Sequence, residues 1–122
     1  MKKYVFAYDT HFLNETRFTH DTVRKIVINF LLDHGVLTTD IKEPLQTTFT
    51  FKSNLNTDAW IRFLNIELIP AFNEMMEDQY YYFGSIKPSG DNAFYELVKA
   101  NPTLQRNLNV MIQEIVRERG NR

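Results

Sequence analysis

The chain has 122 residues, of which 43% are hydrophobic and 24% are charged, and these values are typical of one folded domain. Fourteen basic and fifteen acidic side chains give a net charge of -1, which excludes a uniformly basic nucleic-acid binder and leaves room only for a local basic surface. The absence of cysteine excludes disulfides, thiolate catalysis and cysteine-ligated metal centres. We therefore expect a single cytoplasmic domain over residues 1–122, without a signal peptide or a membrane-spanning segment.

The first third of the chain predicts a strand followed by an amphipathic helix. Aromatic and β-branched residues dominate residues 4–8, which favours a strand, and the polar residues 9–17 predict a loop. Apolar residues then recur at helical spacing over residues 20–34. Gly35 follows directly and predicts the end of that helix.

The middle of the chain predicts a hairpin and a second helix. Residues 36–41 and 45–52 have the composition of strands. Residues 42–44 predict the turn between them, because Pro44 cannot occupy the middle of a sheet. Asn56 or Thr57 caps the next helix.

The last third predicts one more strand and two helices. Pro70 should kink the second helix, because it lacks a backbone N–H. Residues 80–87 predict the final strand, and a short helix is expected at about 92–99. The last helix should begin after Asn101 at Pro102. Its predicted apolar stripe consists of Leu104, Leu108, Met111, Ile112 and Ile115.

The predicted order of elements is β-α-β-β-α-β followed by two helices. This order predicts an α+β fold of the ferredoxin-like type, with an antiparallel sheet and two helices on one of its faces. The ferredoxin-like core would span residues 3–87. A C-terminal two-helix extension would occupy residues 91–119.

Two segments resemble a known group of proteins. The first is Lys3–Asp9, a strand that ends in Tyr-Asp, and the second is Thr48–Ile61, a strand that leads into a helix. With the order of elements, they are similar to the small ferredoxin-fold group that includes the CRISPR-adaptation nuclease-like proteins, VapD-type endoribonucleases and SinR-like proteins. The resemblance implies a dimer in which Asp9 of each subunit is a metal-binding carboxylate. Oxygen and imidazole ligands suit Mg²⁺, Mn²⁺ or Zn²⁺, and the expected cofactor is Mg²⁺ or Mn²⁺, otherwise none.

The polar residues around Asp9 are the candidate catalytic group. Asp9 and His11 are two residues apart, so both would lie on one side of the strand if the strand continued past Asp9. Asp9 is then the candidate metal ligand, and His11 is a candidate second ligand or proton-transfer group. The other interpretation is a solvated polar loop that leads into a helix cap. The group comprises Asp9, His11, Glu15, His20 and Asp21.

Candidate nucleic-acid contacts are Tyr8, Arg17 and Arg117. Aromatic residues on an open sheet face can stack on bases, and Tyr8 belongs to such a face with Tyr4 and Phe6. The alternative is that the final helix or a second subunit covers this face. Arginines near the end of the last helix can either bind phosphates or complement the helix C-terminus in solvent.

Two functions are consistent with these features. The first is a metal-dependent endonuclease or nucleic-acid-binding protein that uses Asp9 and His11. The alternative is a non-catalytic interaction protein, such as an antitoxin or a phage-type inhibitor, that binds and regulates another protein. A homodimer is expected in either case, because an uncovered sheet face or edge favours pairing.

Overall fold

The computed structural model describes residues 1–11, 20–45, 48–71, 81–88 and 102–120. At residues 9–11, 20, 45, 81–88 and 102 it describes the backbone alone. The helix predicted at about 92–99 lies outside the described residues. Within them, the α+β prediction is confirmed.

The described residues form a sheet of four strands, all antiparallel, in the order β2-β3-β1-β4. β1 pairs with both β3 and β4, so it is a central strand. Tyr4 lies opposite Phe51, and Phe6 lies opposite Phe49, which gathers aromatic rings on one face. The strands are β1 Lys2–His11, β2 Lys42–Leu45, β3 Thr48–Ser53 and β4 Tyr81–Pro88.

The predicted turn at residues 42–44 is wrong, because these residues belong to strand β2. β2 is an edge strand, and its register with β3 shifts between Lys42 and Leu45. An edge strand at an irregular position accepts proline, since one side of its backbone needs no partner strand. The predicted strand at residues 36–41 is also wrong, because Thr38–Asp40 forms a 3₁₀ turn there.

Helix α1 (His20–Asp33) ends one residue before the predicted bound, and Gly35 follows it as the predicted terminator. The backbone of Gly35 has φ 85°, a left-handed conformation that glycine adopts without a steric penalty. The Gly35 N–H donates to the Leu32 carbonyl at 3.1 Å, and the Val36 N–H donates to the Leu31 carbonyl at 3.1 Å. These two bonds form a Schellman motif, which turns the chain sharply away from the helix axis.

Helix α2 (Thr57–Phe63) is capped by Asn56, whose Oδ1 accepts the Ala59 N–H at 2.8 Å. The helix continues as a π-helical segment, Leu64–Leu68, and then as one helical turn over residues 69–71. Pro70 has no N–H for the regular hydrogen-bond ladder. We attribute the change of hydrogen bonding just before Pro70 to this missing donor.

Trp60 of α2 joins the helices to the aromatic face of the sheet. Its ring is fully buried and contacts Phe51 at a centroid distance of 4.9 Å and Phe30 of α1 at 5.7 Å. Its Nε1 donates to the Ser53 Oγ at 3.0 Å, so its polar atom is satisfied. The face that carries Tyr4 and Phe51 is therefore the face that the helices cover.

Helix α3 (Pro102–Gly120) packs beside α1 and along strand β2. Four residues of its predicted stripe are buried: Leu108, Met111, Ile112 and Ile115. Gln105 accepts the backbone N–H of Glu43 in β2 at 3.2 Å through its Oε1. None of the helices in the described part of the chain has the length and apolar character needed to cross a membrane.

Candidate functional site

The C-terminal end of β1 holds Asp9 and His11. The prediction of a loop from residue 9 is wrong for residues 9–11, because β1 continues to His11. In the backbone register, Asp9 lies opposite Phe83 and His11 lies opposite Tyr81. Positions 9 and 11 alternate with position 10, so strand geometry assigns both to one face of the sheet.

Tyr8 lies on the other face, in the core. Its side chain is only 5% exposed, and its ring packs against Phe6 at 5.6 Å and Phe49 at 6.2 Å. Burial raises the pKa of the Tyr8 hydroxyl well above its usual value; the Glu43 carboxylate adds to this rise, and the Arg24 guanidinium opposes it. A ring in this position is not accessible to a nucleic acid, so the proposed interface does not include Tyr8.

A buried ion pair near Tyr8 connects α1 to the edge strand β2. Arg24 Nε donates to Glu43 Oε2 at 2.9 Å, and Arg24 Nη2 donates to Glu43 Oε1 at 2.5 Å. Arg24 Nη1 also donates to Asp21 Oδ1 at 3.0 Å. Burial raises the pKa of the Glu43 carboxyl, and the charge and hydrogen bonds of Arg24 oppose that rise. The pair fixes β2 against the helical layer, and its full burial makes it a structural group rather than a ligand site.

The arginines at the end of α3 have different environments. Arg119 donates to Asn29 Oδ1 from Nε at 3.0 Å and to Asp33 Oδ1 from Nη2 at 2.7 Å, so it fastens α3 to α1. Arg117 is exposed and makes no ion pair within the described residues. Arg117 therefore stays a candidate phosphate contact, whereas Arg17 and Arg122 lie outside the described residues.

The metal prediction rests on positions 9 and 11. Among the described side chains, no cluster of three or more histidine, aspartate or glutamate residues is placed to hold an ion. Asp9 and His11 lie outside that set, together with Glu15 and His20, so the assignment of Asp9 as a metal ligand stays a prediction.

One polar cleft was not predicted from the sequence. It is an open cleft between the 3₁₀ turn, β2 and α3, with a volume of about 360 Å³. Its lining brings residues 38–42 next to residues 109–113, which are about 70 positions apart in the chain. No sequence periodicity or motif indicates that these two segments lie side by side, because their contact depends on where α3 packs. We call it the Lys42 cleft; its lining residues are Thr38, Thr39, Lys42, Asn109, Ile112 and Gln113.

Comparison with known proteins does not identify a family for this chain. No protein-family model, curated protein or solved structure matches the chain. The resemblance to the ferredoxin-fold nuclease-like group therefore stays a prediction.

Proposed function

We propose that the chain is a metal-dependent endonuclease or nucleic-acid-binding protein of the ferredoxin-fold nuclease-like group, acting as a cytoplasmic homodimer. The order β-α-β-β-α-β, together with the strand order β2-β3-β1-β4, supports the ferredoxin-like plan. The observation that carries the proposal is the extension of β1 to His11. Asp9 and His11, two polar residues of an expected loop, therefore occupy alternate strand positions at the end of β1, where the described register pairs β1 with β4 alone.

The residue types at these positions fit a divalent metal. The Asp9 carboxylate is a hard oxygen ligand suited to Mg²⁺ or Mn²⁺, and the His11 imidazole suits Mn²⁺ better than Mg²⁺. A single carboxylate per chain is a weak ligand set, which favours a site completed by Asp9 of a second copy. A bound ion would supply Lewis-acid polarisation of a phosphate oxygen. In the alternative role, in which His11 is not a ligand of the ion, its basic nitrogen would accept the proton of the attacking water.

A cleavage assay tests this proposal directly. Purified wild-type protein is incubated with single- and double-stranded RNA and DNA, with Mn²⁺, with Mg²⁺ and with a chelator. Asp9→Ala should abolish cleavage while its circular dichroism spectrum stays that of the wild type. Asp58→Ala, which removes an exposed carboxylate from the first turn of α2, is the matched control and should cleave normally.

Two results would refute the endonuclease. One is the absence of cleavage of every substrate by the wild type with either ion. The other is cleavage that survives Asp9→Ala, because the activity would then belong to another site or to a contaminant. Salt-dependent binding of nucleic acid without cleavage would support a nucleic-acid-binding protein and exclude an endonuclease.

A second candidate function is the regulation of another protein by direct binding. Ile61 of α2 is 41% exposed, and Ile66 of the π-helical segment is 64% exposed. Large apolar side chains exposed on one helix are a feature of interaction surfaces, although single ones are common on any protein. A partner that co-purifies with the wild type and is lost in a folded Ile66→Lys variant would support this candidate. Retention of the partner by the Ile66→Lys variant would show that this helix is not the binding surface.

A further inference from the structure

One polar group of the Lys42 cleft, the side-chain amide of Asn109, is oriented by a chain of hydrogen bonds that starts at the backbone. The Glu43 N–H can only donate, so the atom of Gln105 that it meets at 3.2 Å must be the oxygen, Oε1. The amide nitrogen of Gln105 then donates to Asn109, one helical turn further along α3, at 3.0 Å. Asn109 must use its Oδ1 as the acceptor. Its Nδ2 is therefore left as a donor, and no described residue accepts from it.

The cleft also has a cation without a counter-ion. Lys42 makes no ion pair with any described residue, and none of the residues that line the cleft is acidic. Glu43, its neighbour in β2, is fully buried and engaged with Arg24, so its charge is balanced inside the core. The amide of Gln113 and the hydroxyls of Thr38 and Thr39 add further groups that can donate.

We propose that the Lys42 cleft binds the phosphate group of an anionic ligand. A phosphate has several strong acceptor oxygens and at least one negative charge, which matches one ammonium group surrounded by neutral donors. The bond from Gln105 already gives the amide of Asn109 its donating orientation before the ligand arrives, which reduces the side-chain freedom lost on binding. The volume of about 360 Å³ exceeds that of a phosphate alone and reaches the range of sites for small organic ligands.

The phosphate has two chemical sources, a free phosphorylated small molecule or the backbone of a nucleic acid. Either source is recognised through the same donors. The inference does not rest on the proposed endonuclease, because it concerns metal-free binding at α3 and not cleavage at β1. Failure of one proposal therefore leaves the other to be judged by its own experiment.

The test is a titration of the ¹⁵N-labelled full chain, followed by the NMR shifts of its backbone amides and of the Asn109 side-chain NH₂. The probes are inorganic phosphate, adenosine 5′-monophosphate and a short single-stranded oligonucleotide, each without metal and at constant ionic strength. We expect saturable shifts confined to residues 38–42 and 105–113. Asn109→Asp keeps the oxygen that accepts from Gln105 but replaces the donor with a negative charge. It should weaken binding by about tenfold or more, the factor that corresponds to loss of a charge-assisted hydrogen bond.

The matched control is Asn107→Asp, which makes the same charge change at an exposed position on the same helix, outside the cleft. It should bind all probes like the wild type. Binding of the mononucleotide but not the oligonucleotide identifies a small-molecule site, and the reverse identifies a nucleic-acid contact; both retain the phosphate site. The absence of localised shifts with all three probes overturns the proposal. So does an equal effect of the two aspartate variants, which would indicate nonspecific charge attraction.

Discussion

Replacement of Thr50 by valine should make the protein more stable. Thr50 lies in β3, opposite Val5 of β1 and Lys42 of β2, and its side chain is completely buried. Its Oγ1 has no hydrogen-bond partner in the described part of the structure. Valine has almost the same branched shape and an equal preference for strands, so the substitution removes an unsatisfied polar atom without opening a cavity.

The expected gain follows from the cost of that hydroxyl. A buried donor or acceptor without a partner costs roughly 1–3 kcal/mol, and the methyl group that replaces it adds favourable apolar burial. Small repacking losses oppose these terms. We expect Thr50→Val to raise the free energy of unfolding by about 1–2 kcal/mol, which corresponds to an increase in Tm of about 3–8 °C for a domain of this size.

Urea unfolding followed by tryptophan fluorescence measures this change. Trp60 is the single tryptophan of the chain and is fully buried, so its emission reports on the loss of the core. Thr48→Val is the matched control, because Thr48 lies two residues away on the same face and is half-buried. It should change stability by no more than about 0.5 kcal/mol. The reasoning fails if Thr50→Val lowers the unfolding midpoint, or if both variants raise it equally.

Three other substitutions test the polar contacts of the core. Ser53→Ala should lower the unfolding free energy by roughly 1–3 kcal/mol, measured by urea unfolding, because the Trp60 Nε1–H loses its acceptor; no change would contradict the role of that bond. Glu43→Ala should lower the free energy of unfolding by about 3–5 kcal/mol, since it leaves the Arg24 charge buried without this carboxylate. The double variant Glu43→Ala/Arg24→Met should recover part of that loss. Additive losses in the two single variants would disprove the coupling between the two residues. The raised pKa of Tyr8 means that the folded state holds this proton more tightly than the unfolded state does. The protonated Tyr8 hydroxyl therefore contributes its full share to the stability of the folded state below about pH 10, and this share is lost as the pH rises further. In urea titrations at alkaline pH, the free energy of unfolding of the wild type should fall more steeply with pH than that of Tyr8→Phe. Parallel curves for the two proteins would refute this.

The local elements were predictable where one residue decides the backbone. Gly35 marked the end of α1, because only a left-handed residue completes the observed pair of terminal hydrogen bonds. Asn56 and Thr57 were the two predicted caps of α2, and the side chain of Asn56 caps a free N–H there. Pro44 was the reason for the wrong prediction of a turn at residues 42–44. Proline is excluded from central strands, but the sequence does not reveal that this strand lies at the edge.

The interactions between distant segments were not predictable. The Arg24–Glu43 pair and the Gln105–Glu43 bond join segments that are 19 and 62 residues apart, and neither segment contains a recognisable motif. For the candidate catalytic group, the sequence supplied the residue types at positions 9 and 11. It did not supply the length of β1, which depends on pairing with β4 as far as Tyr81.

The position of α3 limits how two copies of the chain can pair. A free edge strand presents unpaired N–H and C=O groups that recruit another strand. At β2, the outward Glu43 N–H is already bonded to Gln105, and Arg119 fastens the far end of the same helix to α1. Addition of a strand at β2 would therefore require α3 to detach, with loss of its buried stripe. Among the described strands the other edge strand is β4, so a homodimer formed by strand pairing should use β4, which is the neighbour of Asp9 and His11 in the sheet register. Such pairing would bring the candidate metal ligands of the two copies toward a shared edge, whereas pairing at β2 would keep them apart.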